Sequence, residues 1–184
     1  MLEVKKYRLY ILLLSFLSLS SCDGYPVTFT QKTEFTFPKQ PANRAIVGLE
    51  RLTQKIFQIK IDGKKTLREK NLSEDAIRSI YLKTLQLNIK PDSEGQNLSF
   101  LESVEFYAEA PNLPTILIAR LDGSVSEKMT TLIIKDQDLK PYLIADFVKI
   151  FAKATGRLPD QETKIAAVFN LETNIDLAVA CQER

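Results

Sequence analysis

Three glutamates within eight residues, Glu102, Glu105 and Glu109, are the first side chains that could do acid–base chemistry. A hydrolase without histidine would need two such carboxylates converging in a cleft, one to donate and one to accept a proton. The segment FLESVEFYAEA alternates instead, with Val104 and Phe106 on the face opposite Glu105 and Glu109. This alternation predicts a strand with a wet glutamate face, and therefore solvated carboxylates.

Two aspartates spaced two residues apart, Asp136 and Asp138 in DQDLK, match the start of a calcium-binding loop. An EF-hand loop also needs a central glycine and a later bidentate glutamate, and both are missing here. We therefore expect a helix cap or a solvated turn at this place, and no metal site.

Three tyrosines, Tyr81, Tyr107 and Tyr142, could form a surface on which a ligand stacks, but cross-strand aromatic pairing is the commoner role. The chain has no histidine, which excludes Ser-His-Asp and Cys-His arrangements and the commonest zinc ligand sets. Its six glycines form no phosphate-binding loop. The sequence predicts a protein without catalytic residues or a cofactor.

The strongest motif lies at the N-terminus. An apolar run from Leu9 to Leu19 follows Lys5, Lys6 and Arg8. The run is too short to cross a bilayer core of roughly 30 Å, but it has the length and cationic flank of an export signal. It ends on Leu19, Ser20, Ser21 and Cys22, which are an aliphatic residue, two small hydroxyl residues and a cysteine.

These four residues resemble the lipobox of bacterial lipoproteins. The resemblance implies that a diacylglycerol alkylates the Cys22 sulfur, that the chain is cut between Ser21 and Cys22, and that the new amine is acylated. Two or three acyl chains anchor a protein stably, at about 0.8 kcal/mol per buried methylene, whereas one does so only marginally. The alternative is an ordinary secretory signal with a cysteine near its cleavage site.

Asp23 follows the anchor cysteine and bears on which membrane holds the protein. In lipoproteins of enteric bacteria, an aspartate at this position resembles the signal for retention in the inner membrane. We therefore expect a lipid-anchored protein of the bacterial cell envelope, facing the periplasm, in the inner membrane if enteric sorting applies and in an undetermined membrane otherwise.

Processing leaves a body of 163 residues without net charge. The chain has 25 basic and 23 acidic residues, and residues 1–21 contain three basic residues and one acidic residue, so 22 of each remain. A neutral body lacks the basic footprint that nucleic acid requires. Cys181 is then the only other cysteine, and it is either a free thiol or the site of an intermolecular disulfide.

Period-two alternation recurs along the body and predicts strands with one buried face. The clearest is IAAVFNLETNIDLAV at 165–179, where odd positions such as Phe169 are apolar and even positions such as Asn170 are polar. A bulge near Lys83 and Thr84 explains a switch of the buried parity in the strand at 80–89. Two apolar segments, 114–121 and 130–135, predict central strands covered on both faces. Further strands are expected at 27–37 (one strand, or two interrupted at 31–33), 56–62, 100–110 and 146–154, and short helical turns after 71–73 and at 136–143. The strand at 56–62 ends on Asp62-Gly63, which is typical of a hairpin turn.

This pattern predicts an all-β fold, an antiparallel immunoglobulin-like β-sandwich of about seven to nine strands with one or two short helical turns. The order from 78 to 136 loosely resembles the immunoglobulin-like domain of WHy-type late-embryogenesis-abundant proteins, with Lys90-Pro91 where that family has Asn-Pro. The resemblance to WHy-type domains implies no activity. The expected organisation is a signal peptide at 1–21, a lipidated tether at 22–26 and a single sandwich domain at 27–184.

Three functional classes are compatible with these features. The first is a non-enzymatic binding or structural module, held near the bilayer by its lipid and contacting an envelope protein. The second is a carrier of lipid or another small apolar ligand, which needs an enclosed apolar cavity between the sheets. The third is a carboxylate hydrolase, which needs convergent acids. We expect the first.

Overall fold

The computed structural model describes residues 25–39, 54–61, 63–69, 73–95 and 97–176. In this part of the chain, nine strands and two short helices follow one another along the sequence. Their bounds are β1 (Tyr25–Phe37), β2 (Gln54–Ile61), α1 (Gly63–Glu69), β3 (Ile77–Ile89), β4 (Leu101–Glu109), β5 (Ile116–Asp122), β6 (Met129–Thr131), β7 (Ile133–Ile134), α2 (Lys140–Leu143), β8 (Val148–Gly156) and β9 (Thr163–Ile175).

The strands form two antiparallel sheets that pack face to face. One sheet has the order β1-β9-β3-β6 and the other the order β2-β8-β4-β5-β7. The prediction of an antiparallel all-β sandwich with seven to nine strands is confirmed. The first strand pairs with the last, and β4–β5 is the only hairpin of consecutive strands among the described residues. The strand order is that of a jelly roll, in which the first strand pairs with the last, and the predicted immunoglobulin-like order is wrong.

β9 lies at the centre of the four-stranded sheet, and its alternation confirms the predicted parity. Its odd positions are buried and its even positions are half-buried on the outer face. Phe169 meets Phe106 of the opposite sheet edge to face, with ring centroids 5.6 Å apart. The apolar faces of the two sheets join in one core because β1, β3, β4, β5, β8 and β9 present buried apolar side chains inward.

Two predictions about long strands have different outcomes. The bulge in β3 is confirmed, since its register with β9 shifts between Leu82 and Thr84. The possible break in β1 is wrong, because β1 pairs with β9 over thirteen consecutive residues without a shift. β1 also begins at Tyr25, two residues earlier than expected, so Tyr25 and Pro26 belong to the strand and not to the tether.

The segment 130–135 is not a central strand, contrary to the prediction. It divides into β6 at the edge of one sheet and β7 at the edge of the other. Leu132, between them, is buried, whereas Ile133 is 56% exposed. Leu132 is apolar because the chain passes from one sheet to the other at this residue and buries its side chain on the way. The segment 114–121 contains β5, which lies between β4 and β7 as expected of an interior strand.

The helical turns were predicted with partial success. The turn at 136–143 is present as α2, and Asp138 Oδ1 accepts the backbone N–H of Lys140 at 2.9 Å. After 71–73, residues 74–76 form a single turn and no helix, and β3 begins directly after it at Ile77. α1 lies instead after β2, where Asp62-Gly63 suggested a hairpin, and it buries Leu67 against the core.

Candidate functional site

The N-terminal end of β1 is where the structure approaches the expected lipid anchor. Cys22, Asp23, the remaining lipobox residues Leu19, Ser20 and Ser21, and Cys181 all lie outside the described residues. Tyr25 pairs with Ile175 of β9, and Ile175 pairs with Ile77 of β3. Because Cys22 is the expected lipid anchor, this end of the four-stranded sheet, three residues further on, is the expected anchored end.

Several polar contacts fix this anchored end. Asp176, just after β9, donates its N–H to the carbonyl of Ala76 at 2.7 Å and binds Arg78 with its carboxylate at 2.8 Å. Lys140 of α2 donates to the carbonyl of Ile77. α2 is thus tied to the same end of the sandwich as β1. The anchored end is held by three elements besides β1, namely β9, β3 and α2.

β1 forms one edge of its sheet, and its outer face is polar. Thr30 donates to Asn170 at 2.7 Å, and Asn170 donates in turn to Thr84 of β3 at 2.7 Å, so hydrogen bonds cross three strands. Lys90 binds Glu34 at 2.6 Å, and this hydrogen bond raises the pKa of Lys90. The outer face of β1 therefore carries hydroxyl groups and two charges, one of them already paired.

An apolar crevice lies between the sheets beneath α2. Tyr142 and Leu143 of α2 cover it, and it reaches Phe169 and Leu171 of β9. The one polar side chain in its lining is Gln31 of β1. Its volume is about 40 Å³. A void of this size holds about three or four water molecules at most, because each needs about 10–15 Å³ of such space, and it is far smaller than a lipid pocket.

The outer face of the five-stranded sheet carries an aromatic and charged cluster. Tyr107 of β4 stacks on Phe151 of β8 with centroids 5.2 Å apart, and the ammonium of Lys153 lies 5.1 Å from the Tyr107 ring. The Tyr107 hydroxyl donates to Glu105 at 2.7 Å. This hydrogen bond and partial burial raise the pKa of Tyr107 to about 12. Both ring faces are in use, so the cluster stabilises the sheet.

The glutamates predicted on this wet face lie there, half-buried, and each has its own partner. Glu105 accepts from Tyr107, and Glu109 pairs with Lys149 at 3.1 Å. Glu102 is exposed at the start of β4. The three carboxylates therefore do not form an acid–base pair with a shared proton. Among the described residues, no group of three or more acidic or cysteine side chains is placed to hold a metal ion.

The three tyrosines lie in three different parts of the sandwich. Tyr81 is on the outer face of the four-stranded sheet, Tyr107 is outside the other sheet, and Tyr142 is buried, with its hydroxyl donating to the carbonyl of Pro114 at 2.6 Å. They do not form one stacking surface. Asp138 accepts N–H groups from both Lys140 and Ile80, so it forms an Asx-turn just before α2, whose N-cap is Leu139.

The place of Gln31 in the crevice lining and the Tyr107–Phe151 stack could not be predicted from the sequence. Alternation predicts only the face of each residue, which is the inner face of β1 for Gln31 and the outer face of β4 for Tyr107. The residues that contact Gln31 and Tyr107 come from strands distant in sequence.

No described helix is both long and apolar enough to cross a bilayer.

Comparison with known proteins identifies no family for this chain. No family model matches it, and no curated protein matches it. Solved structures with some similarity include the capsid protein of decameric BFDV, with a TM-score of 0.38, 8% identity, and coverage of 82% of this chain and 98% of that one. The structure of infectious bursal disease virus Gt strain has a TM-score of 0.37 and 14% identity, covering 84% of this chain and 34% of that one. CpGH89CBM32-5 from Clostridium perfringens has a TM-score of 0.30 and 10% identity, and the match covers 75% of this chain and 94% of that one. These similarities are too low to bear on function.

Proposed function

We propose that this chain is a lipoprotein of the bacterial envelope whose β-sandwich acts as a non-enzymatic binding or structural module at the bilayer surface. The observation that carries the proposal is the start of β1 at Tyr25. Three residues span about 10 Å when extended, so a lipid on Cys22 holds the end of the four-stranded sheet directly against the membrane. The partner is an envelope protein at or near that surface.

The carrier function is the alternative, and the interior of the sandwich argues against it. Ligand pockets for small molecules have volumes of roughly 300–1,000 Å³, whereas the crevice beneath α2 has about 40 Å³. Phe106 and Phe169 fill the space between the sheets further along. The close packing of the described side chains between the sheets favours a protein that binds through its surface.

The hydrolase function has less support. It requires two carboxylates that face one substrate, and Glu105 and Glu109 are instead occupied by Tyr107 and Lys149.

Asp23 favours retention of the protein in the inner membrane where enteric sorting operates.

Lipidation is tested by comparing the two cysteines. We expect Cys22→Ser to abolish incorporation of labelled palmitate and to leave the precursor uncleaved or released from membranes, because the sulfur is the attachment atom. Cys181→Ser is the matched control and should label and fractionate as the wild type does. Labelling of the Cys22→Ser chain would refute the lipoprotein assignment.

The partner is sought by chemical crosslinking in native envelopes, followed by mass spectrometry of the products. A module of an envelope complex should give a reproducible crosslinked protein. A carrier should instead co-purify with lipid and give none.

A further inference from the structure

The edge of the four-stranded sheet formed by β1 is unusually long and regular. Its thirteen residues pair with β9 without a bulge, and β9 is its only partner among the described strands. In an antiparallel strand, alternate residues direct their N–H and C=O groups away from the neighbouring strand. Exposed edges of this kind are templates for a further strand, and proteins usually shorten or bulge them. β1 has neither form of protection.

The outer face of β1 carries charges in a self-complementary arrangement. Lys32 and Glu34 are exposed and lie two positions apart, so they share that face. Threonines flank them at 30 and 36. Glu34 is paired through Oε2 with Lys90, and the Lys32 side chain has no ion pair or hydrogen bond with another described residue. A strand that places a glutamate opposite Lys32 and a lysine opposite Glu34 would match this edge.

We propose that β1 pairs with β1 of a second copy of this chain, antiparallel and about a two-fold axis at Thr33. In this register Lys32 of each copy lies opposite Glu34 of the other, and Thr30 lies opposite Thr36. The Lys32–Glu34 pair and the Thr30–Thr36 pair each occur twice because the interface is isologous. Opposite charges and threonine pairs directly across two strands are stabilising combinations.

The charges select this register over its neighbours. Side chains opposite one another must share a face, so a slip by one residue is excluded. A slip by two residues places Lys32 opposite Lys32 in one direction and Glu34 opposite Glu34 in the other. Like charges directly opposite are destabilising. The pairing centred on Thr33 is therefore the one in which both copies gain ion pairs.

The inner face of β1 also benefits from this pairing. Phe29 lies opposite Phe37 of the second copy, and Gln31 lies opposite Phe35. Phe29 and Phe35 are only half-buried in one chain because they lie at the sheet edge. A continuing strand removes further apolar area from water. The two sheets become one eight-stranded sheet without any change in the sandwich core.

The pairing also fits attachment to one membrane, although it does not depend on lipidation. The two Tyr25 residues lie sixteen strand positions apart, about 50 Å at 3.3 Å per residue. Both chain starts reach the same bilayer when the paired strands lie along its surface.

Disulfide formation at the axis tests the register. In full-length protein carrying Cys181→Ser, Thr33→Cys should give an oxidised dimer of twice the chain mass in native envelopes, because the two Cys side chains are directly opposite. Thr28→Cys is the control: it is more exposed, but the two copies of residue 28 lie ten positions apart, and no dimer should form. The Cys181→Ser chain alone sets the background.

Charge reversal tests the pairing without a crosslink. Sedimentation of the detergent-solubilised full chain should show that Lys32→Glu weakens dimerisation by about tenfold or more, since two attractive pairs become repulsive. Lys32→Glu combined with Glu34→Lys should restore it, although the contact with Lys90 is then lost. Melting temperatures of the variants report on folding separately.

Three results would overturn the proposal. They are a monomeric wild type, dimerisation that is unaffected by Lys32→Glu, and a Thr33→Cys adduct with a different protein. The last would mean that the β1 edge accepts a strand from an envelope partner. None of these outcomes depends on whether Cys22 carries a lipid, so they are distinguishable from a failure of the proposed function.

Discussion

Two threonines on β9, Thr163 and Thr173, are fully buried but differ in their hydrogen bonding. Thr163 donates its hydroxyl to the carbonyl of Gln161 at 2.9 Å. The Thr173 hydroxyl has no hydrogen-bond partner among the described residues. An unsatisfied buried hydroxyl costs free energy because it has lost its water and gained nothing in exchange.

The two positions therefore predict opposite effects of the same substitution. Thr173→Val should raise the free energy of unfolding by about 1 kcal/mol, since valine has the same shape without the hydroxyl. Thr163→Val should lower it by about 1 kcal/mol, because a satisfied hydrogen bond is lost. Urea unfolding of both variants measures the difference. A loss of stability in Thr173→Val would indicate that its hydroxyl has a partner after all.

Tyr107 gives a pH-dependent prediction. Its pKa rises from 10.0 to about 12, first through the hydrogen bond to Glu105 and then through burial. The folded state thus favours the neutral phenol, so this stabilisation is complete below pH 10 and is lost as the pH rises from 10 to 12. Phenolate absorbance of the wild type minus that of Tyr107→Phe should titrate near 12. Glu105→Gln should move the titration towards 10, and an unchanged titration would show that Glu105 is not its cause.

The hydrogen bond from Lys140 to Asp138 could be predicted from local sequence, whereas the bond from Ile80 to Asp138 and the roles of Tyr107 and Thr173 could not. An Asx-turn is set by residues two positions apart, so DQDLK contains the necessary information. The stacking of Tyr107 on Phe151 and the isolation of the Thr173 hydroxyl depend on strands far apart in the chain. Alternation indicates which face such a residue occupies, but not which side chain lies across from it.

At the scale of the element, β9 allows a direct test of parity. We expect Phe169→Asp to destabilise the protein by several kcal/mol, because removing a buried phenyl ring alone costs about 3–5 kcal/mol and an unpaired buried charge adds to this. Asn170→Asp should change stability by about 1 kcal/mol or less, because a carboxylate still accepts the hydrogen bond from Thr30 and the Thr84 hydroxyl can turn to donate to it instead of accepting. Equal melting temperatures for the two variants would contradict the assignment of inner and outer faces.

The long strands could be predicted because their apolar faces repeat over many residues. β9 and the bulge of β3 follow from the parity of their own side chains. The short strands β6 and β7 could not be predicted, because Leu132 is apolar for crossing between the sheets and Ile133 is exposed. A continuous apolar run fits a central strand and a crossing segment equally well.

At the scale of the whole molecule, the sandwich class could be predicted and the strand order could not. Seven or more alternating segments without long helices suffice for the class. The order β1-β9-β3-β6 depends on pairings such as Tyr25 with Ile175, which join opposite ends of the sequence. Turn signals do not report such pairings. Asp62-Gly63 suggested a hairpin, yet α1 follows and the chain passes to the other sheet.

The short distance between Cys22 and β1 predicts that proximity to the membrane matters for function. A Gly/Ser linker of ~20 residues between Gly24 and Tyr25, reaching roughly 25 Å on average, should reduce crosslinking to envelope partners. The same linker after Gly123, in an exposed turn of the described chain, should not. Crosslinking that survives the first insertion would mean that the lipid only retains the protein in the envelope.

The continuous pairing of β1 with β9 also determines how the protein bears mechanical load. A force on Tyr25 directed along the strand axis loads all thirteen residue pairs, from Tyr25–Ile175 to Phe37–Thr163, in shear at the same time. A force on Tyr25 at right angles, away from the sheet, opens the same pairs one after another, beginning at Tyr25. The resistance of the sandwich to extraction therefore depends on direction, and it is greatest when β1 lies along the line of force.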